Sequence, residues 1–170
     1  PQARAVRLAA MMAKDEQYTA KEIVACVQQL VDRTTAYFIV DDLNNLQRGG
    51  RLSAGAALVG SMLKIKPILT FEDKKIVALE KIRTQQKAMK RIEQLFEEAT
   101  QTTDGDGYEL VIIHANAPEA GEAWRAQIQE KYPKLRTSLA YFGPVIGTHL
   151  GQGALGCSWD IVVEKNLENI

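Results

Sequence analysis

The chain has 170 residues, and 21 lysines and arginines balance 21 aspartates and glutamates, so its formal net charge is zero. Without a net charge there is no overall field that would favour nucleic acid or an anionic membrane surface. A mean hydropathy of -0.18 and the lack of an apolar run of about 18 residues exclude a membrane-spanning helix.

The length and the two cysteines narrow the class of protein further. The length suits one compact domain or one lobe of a larger protein. Cys26 and Cys157 lie in apolar segments with no signal peptide ahead of them, so we expect reduced thiols and a cytoplasmic protein. The chain begins in a helical pattern with no strand before it, and we therefore expect a further segment upstream in the complete protein.

The first part of the chain predicts two helices and a strand. An apolar stripe at helical spacing covers residues 3–13. Thr19 and Glu22 form a capping box ahead of a second apolar helical face that ends near Val31. Residues 35–40, TAYFIV, are β-branched and aromatic, which is typical of a buried strand. This strand leads into the first candidate site.

A diglycine after a short polar helix predicts an anion-binding loop. Gly49 and Gly50 permit positive φ and would leave backbone N–H groups uncovered, and Arg51 adds a forked cation beside them. Ser53 can cap the helix that follows, whose first amide groups would add to the same positive field.

The helix predicted after Ser53 is apolar on nearly every face, and it includes Leu58 and Met62. A helix of this kind is either buried or lines an apolar cavity. Together with the diglycine loop, it predicts an anion site that opens onto apolar walls.

The rest of the chain alternates between strand and helix patterns. We predict a β-hairpin at residues 68–80, a long helix at 84–99, a strand at 108–114 and a helix at 118–132. A strand at 138–142, a glycine-rich turn at 143–156 and a closing strand at 158–163 follow. The predicted fold is α/β, a mixed sheet flanked by helices, because the hairpin places antiparallel strands among strands linked by helices.

Three short motifs do not support a cofactor or a metal. Residues 151–156, GQGALG, have the spacing of a dinucleotide-binding loop, but a strand pattern follows instead of a helix. The DGDG turn at residues 104–107 lacks the later oxygen ligands of a calcium loop. Two histidines and two distant cysteines are too few ligands for a zinc site, so we predict no metal and no cofactor.

Two histidines and one arginine are weighed as site residues. His114 ends a predicted strand, where a structural role is favoured, whereas His149 stands among five glycines, where packing does not explain a polar ring. Arg83 precedes the long helix and is either a surface charge, which base rates favour, or a docking residue. No catalytic triad, carboxylate pair or phosphate-binding loop stands out, and we predict no enzyme.

Five segments at ordered spacings resemble the C-terminal part of the DegV family of bacterial fatty-acid-binding proteins. They are LNNLQRGGRLS, LKIKPIL, KIRTQQKA, VIIHAN and GPVIGTHLGQGALG, and the helical segment LAAMMAKDEQYTAKEIV fits the same family. The resemblance implies a helical segment at residues 1–34 that bridges from a missing N-terminal lobe. It implies a DegV-like C-terminal lobe at residues 35–170.

The resemblance also implies a carrier function. Such proteins bury one long-chain fatty acid, such as palmitate or oleate, and present its carboxylate to a separate fatty acid kinase for phospholipid synthesis. The family's head-group network falls on His149 and Arg51, and its K-x-R-T element includes Arg83, to which we assign a docking contact with the kinase. The Thr and Ser residues that hold the carboxylate directly belong to the N-terminal lobe and have no counterpart here.

Two other functions remain open at this stage. One is an enzyme or regulatory domain that binds a phosphorylated small molecule at the Gly49–Ser53 loop. The other is a chain that folds but binds nothing without its other lobe. A deep apolar cavity behind the anion site would favour the carrier, and a shallow polar one would favour the phosphate ligand.

Overall fold

A computed structural model describes residues 2–51, 65–73 and 75–162 of the chain. Six helices and six strands lie within these ranges. In chain order they are α1 Gln2–Ala13, α2 Ala20–Arg33, β1 Thr35–Ile39, α3 Asn44–Arg48, β2 Ile68–Glu72, β3 Lys75–Glu80, α4 Gln85–Thr100, β4 Tyr108–His114, α5 Pro118–Lys131, β5 Arg136–Tyr141, α6 Pro144–Leu150 and β6 Leu155–Ile161.

The strands form one mixed sheet in the order β3-β2-β1-β6-β4-β5. β4 and β5 are parallel, and the other neighbouring pairs are antiparallel. The predicted α/β class and mixed sheet are therefore confirmed. The assignment to a C-terminal lobe and the division at residue 34 stay predictions.

Local sequence signals account for most of these elements. Thr19 and Glu22 form both hydrogen bonds of the predicted capping box at the start of α2. The Thr84 hydroxyl accepts the Lys87 N–H and caps α4, as an N-cap threonine does. The predicted hairpin is confirmed by the β2–β3 pairing, in which Glu72 lies opposite Lys75.

The prediction of a glycine-rich turn over residues 143–156 is wrong. This segment contains the seven-residue helix α6, and β6 begins at Leu155. Pro144 occupies the first turn of α6 and Gly151 follows its end with a positive φ of 79°. Proline at the start and glycine after the end of a helix are the signals that predict such a helix.

The two faces of the sheet are covered differently. On one face, α4 and α5 pack on the strands through a large core that includes Ile92, Phe96 and Trp124. On the other face, α3 and α6 cover one end through a smaller core that includes Leu46 and Leu150. The hairpin of α1 and α2 has its own apolar cluster.

Ion pairs between arginines of the α1–α2 hairpin and carboxylates of β4 and β6 attach the hairpin to the sheet. Arg4 Nε lies 2.6 Å from Glu109 Oε1 on β4, and Arg33 Nε lies 3.0 Å from Asp160 Oδ1 on β6. Glu109 and Asp160 are opposite each other in the β4–β6 pairing, and Ile113 and Gly156 are opposite each other on the same strands. Because side chains alternate along strands, all four positions belong to the face that also carries α6.

We predict that Arg4→Met lowers the free energy of unfolding by about 3 kcal/mol, because it leaves the Glu109 carboxylate buried without its main partner. The two side chains are only 7% and 12% exposed. Arg7→Met is the matched control, because Arg7 is 48% exposed and lies 3.4 Å from the same carboxylate. Urea denaturation should show a loss below about 1 kcal/mol for the control. Equal losses for the two variants would contradict the prediction.

Candidate functional site

The diglycine is the C-terminal cap of α3. Gly50 has a φ of 63°, in the left-handed region that glycine adopts without strain. The Gly50 N–H donates to the Gln47 carbonyl at 3.0 Å, and the Arg51 N–H donates to the Leu46 carbonyl at 3.0 Å. This pair of bonds is a Schellman motif. The prediction that the diglycine leaves its amide groups uncovered for an anion is therefore wrong.

Gly49 is required for a different reason, which is space for His149. The Gly49 N–H donates to the Asn45 carbonyl at 2.9 Å, and its φ of -76° suits any residue. A Cβ built on Gly49, however, would lie 2.5 Å from Nδ1 of His149. Contacts this short do not occur in folded proteins, so only glycine lets the imidazole ring rest on the end of α3.

A second glycine contact joins the same two helices. A Cβ on Gly151, the residue after α6, would lie 2.4 Å from Nδ2 of Asn45 in α3. The two glycine-rich segments, about a hundred residues apart in the sequence, thus meet at one helix–helix contact. This contact places His149, in the last turn of α6, beside Gly49, Gly50 and Arg51.

Gly50, Arg51 and His149 border a cavity of about 410 Å³ over the sheet. Phe38, Gly156 and Ile113 form part of its floor, and the strand register places them side by side on β1, β6 and β4. A Cβ on Gly156 would lie 2.9 Å from Cζ of Phe142, so the missing side chain makes room for that ring. The volume falls within the roughly 300–1,000 Å³ typical of small-molecule sites.

Most of the cavity lining is apolar, and its charge is one-sided. Within the described chain, the basic residues that line it are Arg51, Lys75 and His149, and no aspartate or glutamate lines it. Tyr37 and Cys157 also border it, but their side chains belong to the core on the other face of the sheet. The lining therefore suits an apolar ligand that carries a negative group. Sequence reasoning missed Lys75, together with the apolar contributors Phe71, Phe142, Val145 and Ile146.

Arg51 and His149 keep hydrogen-bonding capacity at the rim of this cavity. Arg51 is exposed and donates through Nη1 to the Gly49 carbonyl at 3.0 Å. His149 is half-buried, and neither of its ring nitrogens makes a hydrogen bond to a residue in the described ranges. Both side chains can donate a hydrogen bond to an anion without first losing an ion pair to this part of the protein.

Cys157 also lines the cavity, but its thiol is not suited to nucleophilic chemistry. The residue belongs to the core beneath α4 and α5. Burial raises the pKa of the Cys157 thiol, and the nearby Glu93 carboxylate acts in the same direction. A thiol with a raised pKa is protonated at neutral pH, so it is not an activated nucleophile.

The other predicted site residues have different outcomes. Ser53, Leu58 and Met62 fall outside the described residues, so their roles stay predictions. Arg83 is exposed just before α4 and does not line the cavity. His114 has the structural role that the sequence favoured: its Nδ1 accepts the Ala117 N–H at 3.3 Å at the start of α5.

The described part of the chain has neither a metal-binding cluster nor a helix that could span a membrane. No group of three or more His, Cys, Asp or Glu side chains could hold a metal ion there. No helix in the same ranges has the length and apolar character needed to cross a membrane.

Comparison with known proteins identifies the relatives of this chain. Residues 1–161 match the family model described as "Uncharacterised protein, DegV family". A DegV domain-containing protein of Listeria innocua is 53% identical over 141 residues, which cover 83% of this chain and 49% of that protein. The chain thus spans about half the length of the curated relatives it matches.

Two solved structures share the fold at substantial sequence identity. The crystal structure of DegV, a fatty acid binding protein from Bacillus subtilis, is 42% identical with a TM-score of 0.82, covering 94% of this chain and 56% of that one. A fatty acid binding DegV family protein from Streptococcus agalactiae is 36% identical with a TM-score of 0.78, covering 94% and 55%.

We predict that Gly49→Ala moves His149 and costs about 1–3 kcal/mol, because the new methyl group overpacks the α3–α6 contact. Gly50→Ala is the matched control: it costs about 1–2 kcal/mol through its positive φ, yet its Cβ would meet nothing within 4 Å. Chemical denaturation measures both losses, and NMR of the histidine side chains reports the position of the ring. An unchanged His149 signal in Gly49→Ala would contradict the packing argument.

Proposed function

The chain belongs to the DegV family, and we propose that it forms part of a carrier that binds one long-chain fatty acid, such as palmitate or oleate. The observation that carries the proposal is the apolar cavity whose described lining has cations at Arg51 and Lys75 and the imidazole ring of His149, but no carboxylate. A fatty acid has the same division, with a long apolar tail and one negative head group. In this proposal, the protein binds the fatty acid and does not catalyse a reaction on it.

The energetics favour a ligand of this size. Each buried methylene group contributes about 0.8 kcal/mol, so a tail of ten or more methylenes supplies most of the binding free energy. A charge-assisted hydrogen bond adds less in total but fixes the direction of the ligand. We assign this orienting role to His149 and Arg51, with Gly49 and Gly50 shaping the support beneath them. Ser53, Leu58 and Met62 are assigned to the loop and the tunnel wall.

The competing function, binding of a phosphorylated small molecule at the Gly49–Ser53 loop, has less support. Phosphate loops offer several free backbone N–H groups to the anion. Here the amide groups of Gly49, Gly50 and Arg51 all donate to carbonyl groups of α3. A phosphate would depend on side chains alone, and the apolar lining would contribute little to its binding.

The proposal extends to the remainder of the protein and to a partner. We assign the chain to a C-terminal lobe, with residues 1–34 leading from an N-terminal lobe whose hydroxyl groups hold the carboxylate. The lipid is then presented to a separate fatty acid kinase. Arg83 is the proposed docking residue, since it is exposed and makes no hydrogen bond or ion pair to any residue in the described ranges.

We predict that the full-length protein co-purifies with a fatty acid, because the cavity would otherwise expose an apolar surface to water. Denaturing extraction followed by mass spectrometry identifies the bound lipid. The carrier proposal fails if no acyl chain is extracted and none is taken up when palmitate or oleate is added. Uptake of a sugar phosphate or nucleotide instead would favour the competing function.

We predict that Arg51→Ala and His149→Ala each weaken palmitate binding about tenfold, the effect of losing one charge-assisted hydrogen bond. Arg83→Ala is the matched control, because Arg83 does not line the cavity. Titration with palmitate measures the affinity, and transfer to the kinase is assayed separately. The control should keep its lipid affinity and lose transfer. Equal palmitate affinity in all three variants would remove Arg51 and His149 from the site.

A further inference from the structure

A second cavity, of about 600 Å³, lies between the α1–α2 hairpin and the sheet. Its lining includes Ala5 of α1, Leu30 and Val31 of α2, and the neighbouring ends of β1 and β2. Two residues line both this cavity and the cavity beside His149, namely Ala36 on β1 and Phe71 on β2. The two cavities therefore meet at these side chains.

The chain order places this junction at the end of β1 opposite to the end that leads to Arg51. The exposed Lys75, which also lines the first cavity, begins β3 near Phe71. Phe38 pairs with Leu69 in the antiparallel ladder, and Thr70 Oγ1 donates to the Ala36 carbonyl at 3.0 Å, so Ala36 lies beside residues 69–71 of β2. Arg51 follows the other end of β1, since α3 comes after that strand in the chain. A ligand anchored at Arg51 and His149 would thus run along β1 and reach Phe71 with its apolar end.

Phe71 has the properties of a partition between the cavities. Phe71 is 55% exposed, and its ring packs against the Phe38 ring at 5.4 Å between centroids. Ala36, beside it, is one of the smallest side chains. With a large ring beside a small residue, a change of side-chain size at either position would alter the space between the two cavities.

The second cavity is lined by polar residues as well as apolar ones: Gln2, Asp32, Thr34, Thr35 and Thr70. Asp32 Oδ1 accepts a hydrogen bond from Gln28 Nε2 at 2.7 Å. Thr34 Oγ1 donates to the Leu30 carbonyl at 2.7 Å, and Thr70 Oγ1 donates to the Ala36 carbonyl at 3.0 Å. Both hydroxyl groups have a hydrogen-bond acceptor within the protein, so an acyl chain beside them would not leave their donors unpaired.

We propose that Phe71 and Ala36 set the length of the acyl chain that the protein prefers, with the second cavity receiving the end of longer chains. This inference rests on the proposed fatty acid function. A chain that ends before Phe71 fills the first cavity alone, and a longer one must pass between the ring and Ala36.

The test compares affinities for myristate, palmitate, stearate and arachidate in the full-length protein. Phe71→Ala widens the passage and should improve arachidate relative to palmitate by about tenfold or more, the factor expected for two or more additional buried methylene groups. Ala36→Leu narrows the passage and should shift the preference toward myristate. Leu79→Ala is the control, since Leu79 is 40% exposed on β3 and lines neither cavity.

Every outcome of this comparison either supports or overturns the proposal. Opposite shifts in the two variants, with the control unchanged, support it. An unchanged length preference in either folded variant overturns it, as does loss of all binding in folded Phe71→Ala, because the partition is not the anchor. If Phe71→Ala does not fold, the chain-length preference of Ala36→Leu alone tests the proposal. Failure of the unaltered protein to bind any of the four acids overturns the proposed function, and this inference with it.

Discussion

The contact between α3 and α6 is the constraint on which the candidate site depends. Two glycines, Gly49 and Gly151, let the helices approach so closely that the His149 ring and the Asn45 amide occupy space where side chains would otherwise lie. The Schellman motif at Gly50 then turns the chain so that Arg51 emerges beside the imidazole. The glycines here create room for a polar side chain rather than exposing amide groups to an anion.

The sheet supplies the other half of the site. Helices α4 and α5 cover one face of the sheet and bury most of the aromatic core. The opposite face is shared by α3 and α6 at one end and by the α1–α2 hairpin at the other, held by the Arg4–Glu109 and Arg33–Asp160 pairs. Among the residues that the structure describes, neither helix pair covers the part of the sheet where Ala36 and Phe71 lie, and both cavities border this part.

Much of the fold could be predicted because its signals are local. The capping box at Thr19, the threonine cap at Thr84 and the β2–β3 hairpin each depend on residues within a few positions of one another. Helix α6 was missed because seven residues, one of them Gly147, are too short for a periodic pattern. Its terminal proline and glycine were the remaining signal.

The site could be predicted only in part, for a physical reason. Gly49 has an ordinary φ, and its need for glycine arises from His149, which is distant in sequence. No pattern within either segment reveals this contact, and it was the family resemblance that linked Arg51 to His149. The burial of Arg4 could not be predicted either, because arginine is rarely buried and the apolar stripe of α1 does not indicate the Glu109 partner on β4.

The sheet order has a consequence for how the chain folds. β6 is the last of the described strands in chain order, yet it lies in the middle of the sheet, between β1 and β4. Until β6 is synthesised, the β3-β2-β1 and β4-β5 halves have no strand to join them. Closing the sheet therefore requires contacts between residues that are far apart in the chain, which slows folding. A ribosome must release nearly the whole segment before either half gains its central neighbour, and truncation before β6 would leave two open sheet edges prone to aggregation.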